Sequence, residues 1–475
     1  MTITLQNTEK GQCYAVKFDR YRQQVVDKLK SSVSIRWWDK QTGAWLIPAT
    51  NKCKAELDQL TYYVRYFEPV QWGTIAQSQT EEDVAFQIPE MPELDGEHGL
   101  KVQPYPYQLQ GIARGLQLKR FINGDDMGLG KTLESIATIN KADAFPCLVI
   151  CPNVVKINWQ REWHKFTDKK AMVLTDSVRD SWPFFWQTGM NQVFIVNYES
   201  LRKYFVRRIT KAEKWTLKDV EFHNTIKLFK SVIIDESHKV KSTATQQTKF
   251  CKGIASGKEY IILLTGTPVV NKPKDLVAQL GIMDRMIDMG GWKGFMLRYC
   301  SGPNQASNLK ELNYKLWQHC FFRREKSKVL TQLPDKVRQI VSCEITNRKE
   351  YMDAERDLID YLKRYKEADD EKIQKSLKGE VMVRIGILKD ITARGKLKEV
   401  IDFVKDFREN GKKIILFCNL HEIVDRLMIA FPSAVCVTGR QNMQEKQASV
   451  DAFQKNSKTD VIICSIKAAS AGITL

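Results

Sequence analysis

The sequence predicts an α/β protein with two parallel sheets, each covered by helices, behind a small α/β module. Three observations predict it. Short apolar runs rich in β-branched residues recur from Lys101 onward and alternate with helical patterns, as strands buried on both faces require. These runs fall into two sets about 150 residues apart, which suggests two sheets rather than one. The 475 residues, 43% hydrophobic and 27% charged, suffice for two to four domains and exclude wholesale disorder.

The elements follow in chain order. Residues 10–70 mix YAVKF, SIRWWD and AWLIPA with helical stretches at Arg22–Lys30 and Lys52–Tyr63. The pattern is strand, helix, strand, strand, helix, so residues 1–70 form a small module in which Trp37, Trp38 and Trp45 read as core aromatics ahead of DNA-stacking residues. Residues 71–100 read as a linker: between Glu81 and Glu97 stand seven acids, no Lys or Arg, and prolines at 89 and 92. Across 101–280 the strand candidates are Arg120–Asn123, Cys147–Cys151, Val193–Asn197, Ser231–Asp235 and Tyr260–Leu264. Residues 281–395 are dense in mixed charge, with Tyr351, Leu358, Ile359 and Leu362 at helical spacing, and predict long solvated helices. The second set of strands, Lys413–Cys418, Ala434–Thr438 and Val461–Cys464, falls in 396–475.

Composition narrows the class of function. Lys and Arg number 74 against 56 Asp and Glu, a net charge of +18 that favours an acidic partner, nucleic acid first, over an inert basic surface. No apolar run approaches the ~18–20 residues of a membrane span, and the N-terminus lacks a signal core. Eleven cysteines without a C-x-x-C pair fit a reducing compartment, and six histidines without zinc spacing argue against a structural metal.

The chemistry concentrates in three short segments. Gly128-Leu129-Gly130-Lys131-Thr132 follows a strand and opens a helix, so glycines let backbone approach phosphate at a helix N-terminus. Lys131 would reach the β/γ-phosphates of a nucleotide and the Thr132 hydroxyl would hold magnesium; Asp125 stands where the general pattern has its outer glycine. In SVIIDESH, Asp235 ends a strand where magnesium must be held, and Glu236 is suited to orient and deprotonate an attacking water. The next strand ends in Leu264-Thr265-Gly266-Thr267-Pro268.

Taken in order, these segments resemble the SWI/SNF-type ATPases of helicase superfamily two. DDMGLGKT is similar to the family's first motif, Pro106-Tyr107-Gln108 to the adenine-reading Q motif, and CPNVVKINWQREWHKF to motif Ia. VNYES resembles motif Ib, LLTGTPVVNKPKDL motif III, KKIILFCNLHEIVDRL motif IV and SIKAASAGITL motif V. FFRREKSKVLTQLPDK resembles the stretch leading from lobe one toward lobe two. DESH, RYC at 298–300 and SKVLTQLPDK point to the annealing-helicase (HepA-related, HARP) branch, and RWWD with AWLIP makes the N-terminal module HARP-like.

The resemblance implies two RecA-like lobes with ATP and magnesium between them. Lys131, Asp235 and Glu236 would be catalytic; Gln108, Gly128, Gly130, Lys131 and Thr132 would bind nucleotide; Thr132 and Asp235 would hold magnesium. His238, Thr265 and Gly266 would couple hydrolysis to DNA, and Pro152, Asn197, Tyr198, Thr267, Asn419, Gly472 and Thr474 would touch it. The implied activity is ATP-dependent translocation on duplex or forked DNA, rewinding or remodelling it, by a monomer, cytoplasmic or, in a eukaryote, nuclear. A strand-separating helicase or restriction-system motor is a second reading. A third follows from Leu475, which lies in or just after motif V: with motif VI and its arginine fingers, worth ~10³–10⁵ in rate, on a missing C-terminal half of lobe two, the chain would be an inactive ATP- and DNA-binding module.

Overall fold

The computed structural model describes residues 1–8, 11–18, 22–65, 67, 69–73, 86–269, 272–301, 305–333, 336–356 and 380–469. The chain divides into two compact units, residues 1–87 and 88–475.

In the first unit, β1 (Thr2–Thr8), β2 (Gly11–Lys17), β3 (Trp37–Asp39), β4 (Ala44–Pro48) and β5 (Gln71–Gly73) form one sheet in the order β3-β4-β2-β1-β5. Helices Gln23–Ser32 and Asn51–Val64 supply Val25, Leu29, Cys53, Leu57, Leu60 and Val64 at helical spacing to a core shared with Ile3, Val16 and Ile47. Two expectations need correction. Residues 71–73 are a strand parallel to β1, not linker. Trp38 is 48% exposed, outside the core, because β3 is the edge strand: there Trp38 meets its cross-strand partner Trp45 at 5.4 Å, while Trp37, on the opposite face, is half-buried.

The second unit holds two parallel sheets. The larger comprises β6 (Arg120–Asn123), β7 (Cys147–Cys151), β8 (Ala171–Val173), β9 (Val193–Asn197), β12 (Ser231–Asp235), β13 (Tyr260–Leu264) and β14 (Phe321–Phe322). Their order is β14-β6-β13-β12-β7-β9-β8. β7, β9 and β13 are buried at every position, which is why they read as unbroken apolar runs. A separate antiparallel hairpin, β10 (Val206–Ile209) with β11 (Val220–Phe222), stands between β9 and β12. The first sheet does not finish at residue 280 as expected: β14 returns from beyond helix Leu309–His319 to pair with β6.

Residues 281–395 otherwise hold helices joined by irregular chain where described, the helices including Gly291–Tyr299, Arg348–Arg356 and Glu380–Gly395, with 336–345 in neither helix nor strand. Leu358, Ile359 and Leu362 lie outside the described residues. The smaller sheet has the order β15 (Ile414–Cys418), β17 (Val461–Ser465), β16 (Val435–Val437), with helices Leu397–Glu409, His421–Ala430 and Met443–Lys455 between or before the strands. No helix among the described residues is long and apolar enough to cross a membrane.

Candidate functional site

β6, β12 and β13 run parallel side by side, so the loops at their C-terminal ends converge. After β6 the chain crosses to helix Lys131–Lys141 through Gly128 and Gly130, whose φ angles of +85° and +89° lie in the left-handed region that favours glycine. A side chain at Gly130 would also displace Gln108: a Cβ there would lie 2.2 Å from the Gln108 amide nitrogen. The helix N-terminus therefore faces the loop with its free amides. Lys131 Nζ donates to the carbonyls of Asp125 at 2.7 Å and Asp126 at 3.1 Å, so the loop's own oxygens hold the amine. Burial lowers its pKa, opposed by Asp125, Glu236 and Asp235.

Asp235 ends β12 beside that loop. Its Oδ2 accepts from the Trp159 indole N–H at 2.9 Å and its Oδ1 from the Glu236 amide at 2.9 Å. Burial pushes this carboxyl up to about 6, against the pull of the Trp159 bond. Glu236 has φ +51°, a left-handed conformation uncommon for a residue with Cβ. Its pKa is lowered, chiefly by the bond to His238, so Glu236 is a carboxylate at neutral pH. His238 Nδ1 lies 3.2 Å from Glu236 Oε2 and 3.3 Å from Thr265 Oγ1, and Thr265 Oγ1 accepts from the Thr267 amide at 3.1 Å. Gly266 brings the loop after β13 close: a Cβ there would sit 3.7 Å from the Asp125 carbonyl.

Gln108, expected to read a base edge, has both ends of its amide engaged within the chain. Its Oε1 accepts from the Tyr105 amide and its Nε2 donates to the Leu129 carbonyl, each at 3.0 Å, which fastens helix Pro106–Leu118 to the phosphate loop. The Tyr107 hydroxyl donates to the same carbonyl at 3.1 Å.

A hollow of about 590 Å³ beside this cluster is lined by Met127, Pro152, Asn197, Glu236, His238 and Ala468, among others. The structure thus brings Pro152 and Asn197 to the same opening as Glu236 and His238, while Thr267 and Asn419 are exposed at their strand ends. Tyr198 is a correction: it is 1% exposed and its hydroxyl donates to the Asp235 carbonyl at 2.5 Å, so it braces the end of β12 instead of touching DNA. Asn197 is largely buried too, accepting from Lys156 Nζ at 3.1 Å and donating to Glu199 at 2.8 Å. Gly472 and Thr474 lie outside the described residues.

Sequence reasoning missed a buried charged cluster under the loop. Arg324, just past β14, forms ion pairs with Asp125 and with Glu134, the latter at 2.6 Å, and its backbone amide donates to Asp125 Oδ1 at 2.7 Å. Glu134 also accepts from Asn123 at 2.8 Å. Burial, then the Asp125 charge, push the Glu134 carboxyl well above the usual range. The aspartate in the outer-glycine position is therefore a tether for the loop. The only signal was the paired arginine in FFRREK, which carries no partner's address.

The family model for the SNF2-related domain matches residues 44–397. The chain belongs to the SNF2-related family. A second model, the helicase conserved C-terminal domain, matches residues 395–475. This SNF2-related chain is 26% identical over 390 residues to SWI/SNF-related matrix-associated actin-dependent regulator of chromatin subfamily A-like protein 1 of Xenopus laevis, covering 78% of the chain and 37% of the relative. It is 27% identical over 398 residues to human DNA annealing helicase and endonuclease ZRANB3, covering 79% and 35%. The chain thus spans little more than a third of either relative's length. Among solved structures, the Sulfolobus solfataricus SWI2/SNF2 ATPase core in complex with dsDNA matches with a TM-score of 0.42 at 22% identity, covering 78% of this chain and 80% of that one.

Proposed function

We propose that this SNF2-related chain is the motor of an ATP-dependent DNA translocase, coupling ATP hydrolysis to movement along duplex or forked DNA. The observation that carries the reading is the chain of contacts Glu236–His238–Thr265, which runs from the phosphate loop to the hollow edged by Pro152 and Asn197. A nucleotide's phosphates would take over the Lys131 amine from the Asp125 and Asp126 carbonyls, with the loop geometry already set by Gly128 and Gly130. Thr132 and Asp235 suit magnesium, because Asp235 is a buried carboxyl that forms no ion pair among the described residues and each oxygen retains a lone pair. Magnesium, when bound, neutralises charge on the transferred phosphoryl group.

Glu236, held ionised by His238, accepts a proton from the attacking water. Movement of the Thr265–Thr267 loop would shift His238 and so Glu236, which ties turnover to the track. Contacts to DNA would be chiefly to phosphate, through Thr267 and Asn419 at loop ends, while Pro152, buried and with no N–H to donate, would only shape its loop, in keeping with the +18 charge and without sequence preference. Annealing, a word in the name of the human relative, is the specific form favoured here over strand separation.

The test is phosphate release with and without duplex or forked DNA. Stimulation by DNA that disappears in Lys131→Ala supports the motor. Tight nucleotide binding with no turnover under any DNA would replace it with a binding module.

A further inference from the structure

We infer that the β10–β11 hairpin is a second phosphate-binding surface, which grips duplex DNA beside the track used by the motor. Its sequence is unusually basic: Arg202, Lys203, Arg207, Arg208, Lys211, Lys214 and Lys218 stand within 17 residues that contain a single acid, Glu213. Three of these cations are committed within the fold, Lys203 to Asp176 at 2.7 Å, Arg208 to Glu221 at 2.7 Å and Lys211 to Asp219 at 3.0 Å. Arg202, Arg207, Lys214 and Lys218 are exposed and have no ion pair among the described residues. Arg207 falls in the register shift between Val206 and Arg208, a bulge that takes it out of the ladder and re-aims its side chain. With Arg202 it lines a hollow of about 410 Å³ that ends at Glu199. That places the hollow two residues from Asn197, on the edge of the opening already assigned to DNA.

The surface is built, not merely charged. Trp215 stacks on Phe250 at 5.5 Å, Lys249 lies 4.3 Å over the Trp215 ring and donates to its carbonyl at 2.8 Å. Phe222 fills the space over Gly253, where a Cβ would come within 2.3 Å of its ring. Thr216 and Asp219 close the loop with a reciprocal cap. Apolar and capping contacts thus fix one side of the hairpin on helix Gln246–Ala255, and the unpaired cations lie on what remains exposed. A fixed array of guanidinium and ammonium groups fits a phosphate backbone.

This inference rests on the translocase reading, and one titration separates the two. The affinity of the chain for a long duplex is measured from low to moderate salt, for wild type and for Arg202→Ala/Arg207→Ala/Lys214→Ala/Lys218→Ala, with nucleotide binding as the control for folding. Each phosphate contact contributes ~0.9 to the slope of log K against log salt. The expected result is an affinity at least about tenfold weaker and a slope shallower by about 2–4 in the variant. Restoration of the slope by Arg202→Lys/Arg207→Lys in place of the two alanines would support charge over packing. Equal slopes in a wild type that does bind DNA would overturn the hairpin surface alone, and leave its cations for an acidic protein. A wild type that binds no DNA would overturn both.

Discussion

Arg324 meets two carboxylates from which water is excluded, Asp125 at 0% and Glu134 at 2% exposure. Removing one partner of a buried charge cluster costs about 3–5 kcal/mol, because the charges left behind cannot be hydrated, whereas an apolar replacement of the whole cluster is often neutral. Arg324→Ala is therefore expected to lower the urea midpoint sharply, and Arg324→Met combined with Asp125→Leu and Glu134→Leu to recover most of it. Nucleotide affinity should fall in both, since both release the phosphate loop. At Glu236 the expectation differs: Glu236→Gln keeps the shape and the nucleotide but loses the proton acceptor, so turnover falls by about 10²–10⁴-fold at unchanged nucleotide affinity. A single-turnover experiment beside a binding titration checks it.

At the scale of elements, helix Leu309–His319 is clamped to helix Gly291–Tyr299 through Glu311. That carboxylate accepts from Arg298 at 2.8 Å and from the Tyr299 hydroxyl at 2.9 Å, and pairs with Lys315 at 3.2 Å. The Arg298 bond, helped by Tyr299 and Lys315, holds its pKa down at about 2 against 4.5 for the free side chain. A lowered carboxylate pKa gives stability that is present above the unfolded value and is lost as pH falls toward the folded one. The stability gap between wild type and Glu311→Gln should thus be full above pH 4.5 and shrink between 4.5 and 2, as followed by urea unfolding at several pH values. The same scale shows what was legible beforehand. Strands buried on both faces announce themselves as runs such as Cys147–Cys151 and Tyr260–Leu264, and the expected ranges match the observed ones there. β8 and β14 have three and two residues, too few to carry a period. β10 is charged at its middle positions and half-buried only at its ends, so nothing apolar marked it. The phosphate loop and the DESH segment were legible because their chemistry is local. The Arg324 tether was not, because its partners lie 199 and 190 residues away.

For the whole molecule, helices that flank the two sheets of the second unit touch at Arg161 and Asp451, whose carboxylate accepts from one guanidinium nitrogen at 3.0 and 2.9 Å. The contact joins helix Lys156–Phe166, which carries Trp159 to Asp235, with helix Met443–Lys455. Arg161 is half exposed, so Asp451→Ala should change the unfolding free energy by less than about 1 kcal/mol. Its effect belongs to the lobes: fluorescence transfer between labels on the two sheets should broaden in the nucleotide-free variant and remain narrow in wild type. The return of the chain to β6 through β14 has a consequence for how the protein is made. At about 5–20 residues per second, a ribosome needs roughly 10–40 s to travel from Asp125 to Arg324. For that interval the nascent chain carries a nucleotide loop whose acids have no counterion and a sheet that lacks its last edge strand. Translation ended between residues 280 and 320 would release a lobe that has every motif segment up to Thr265–Pro268 but neither β14 nor the Arg324 tether of its loop.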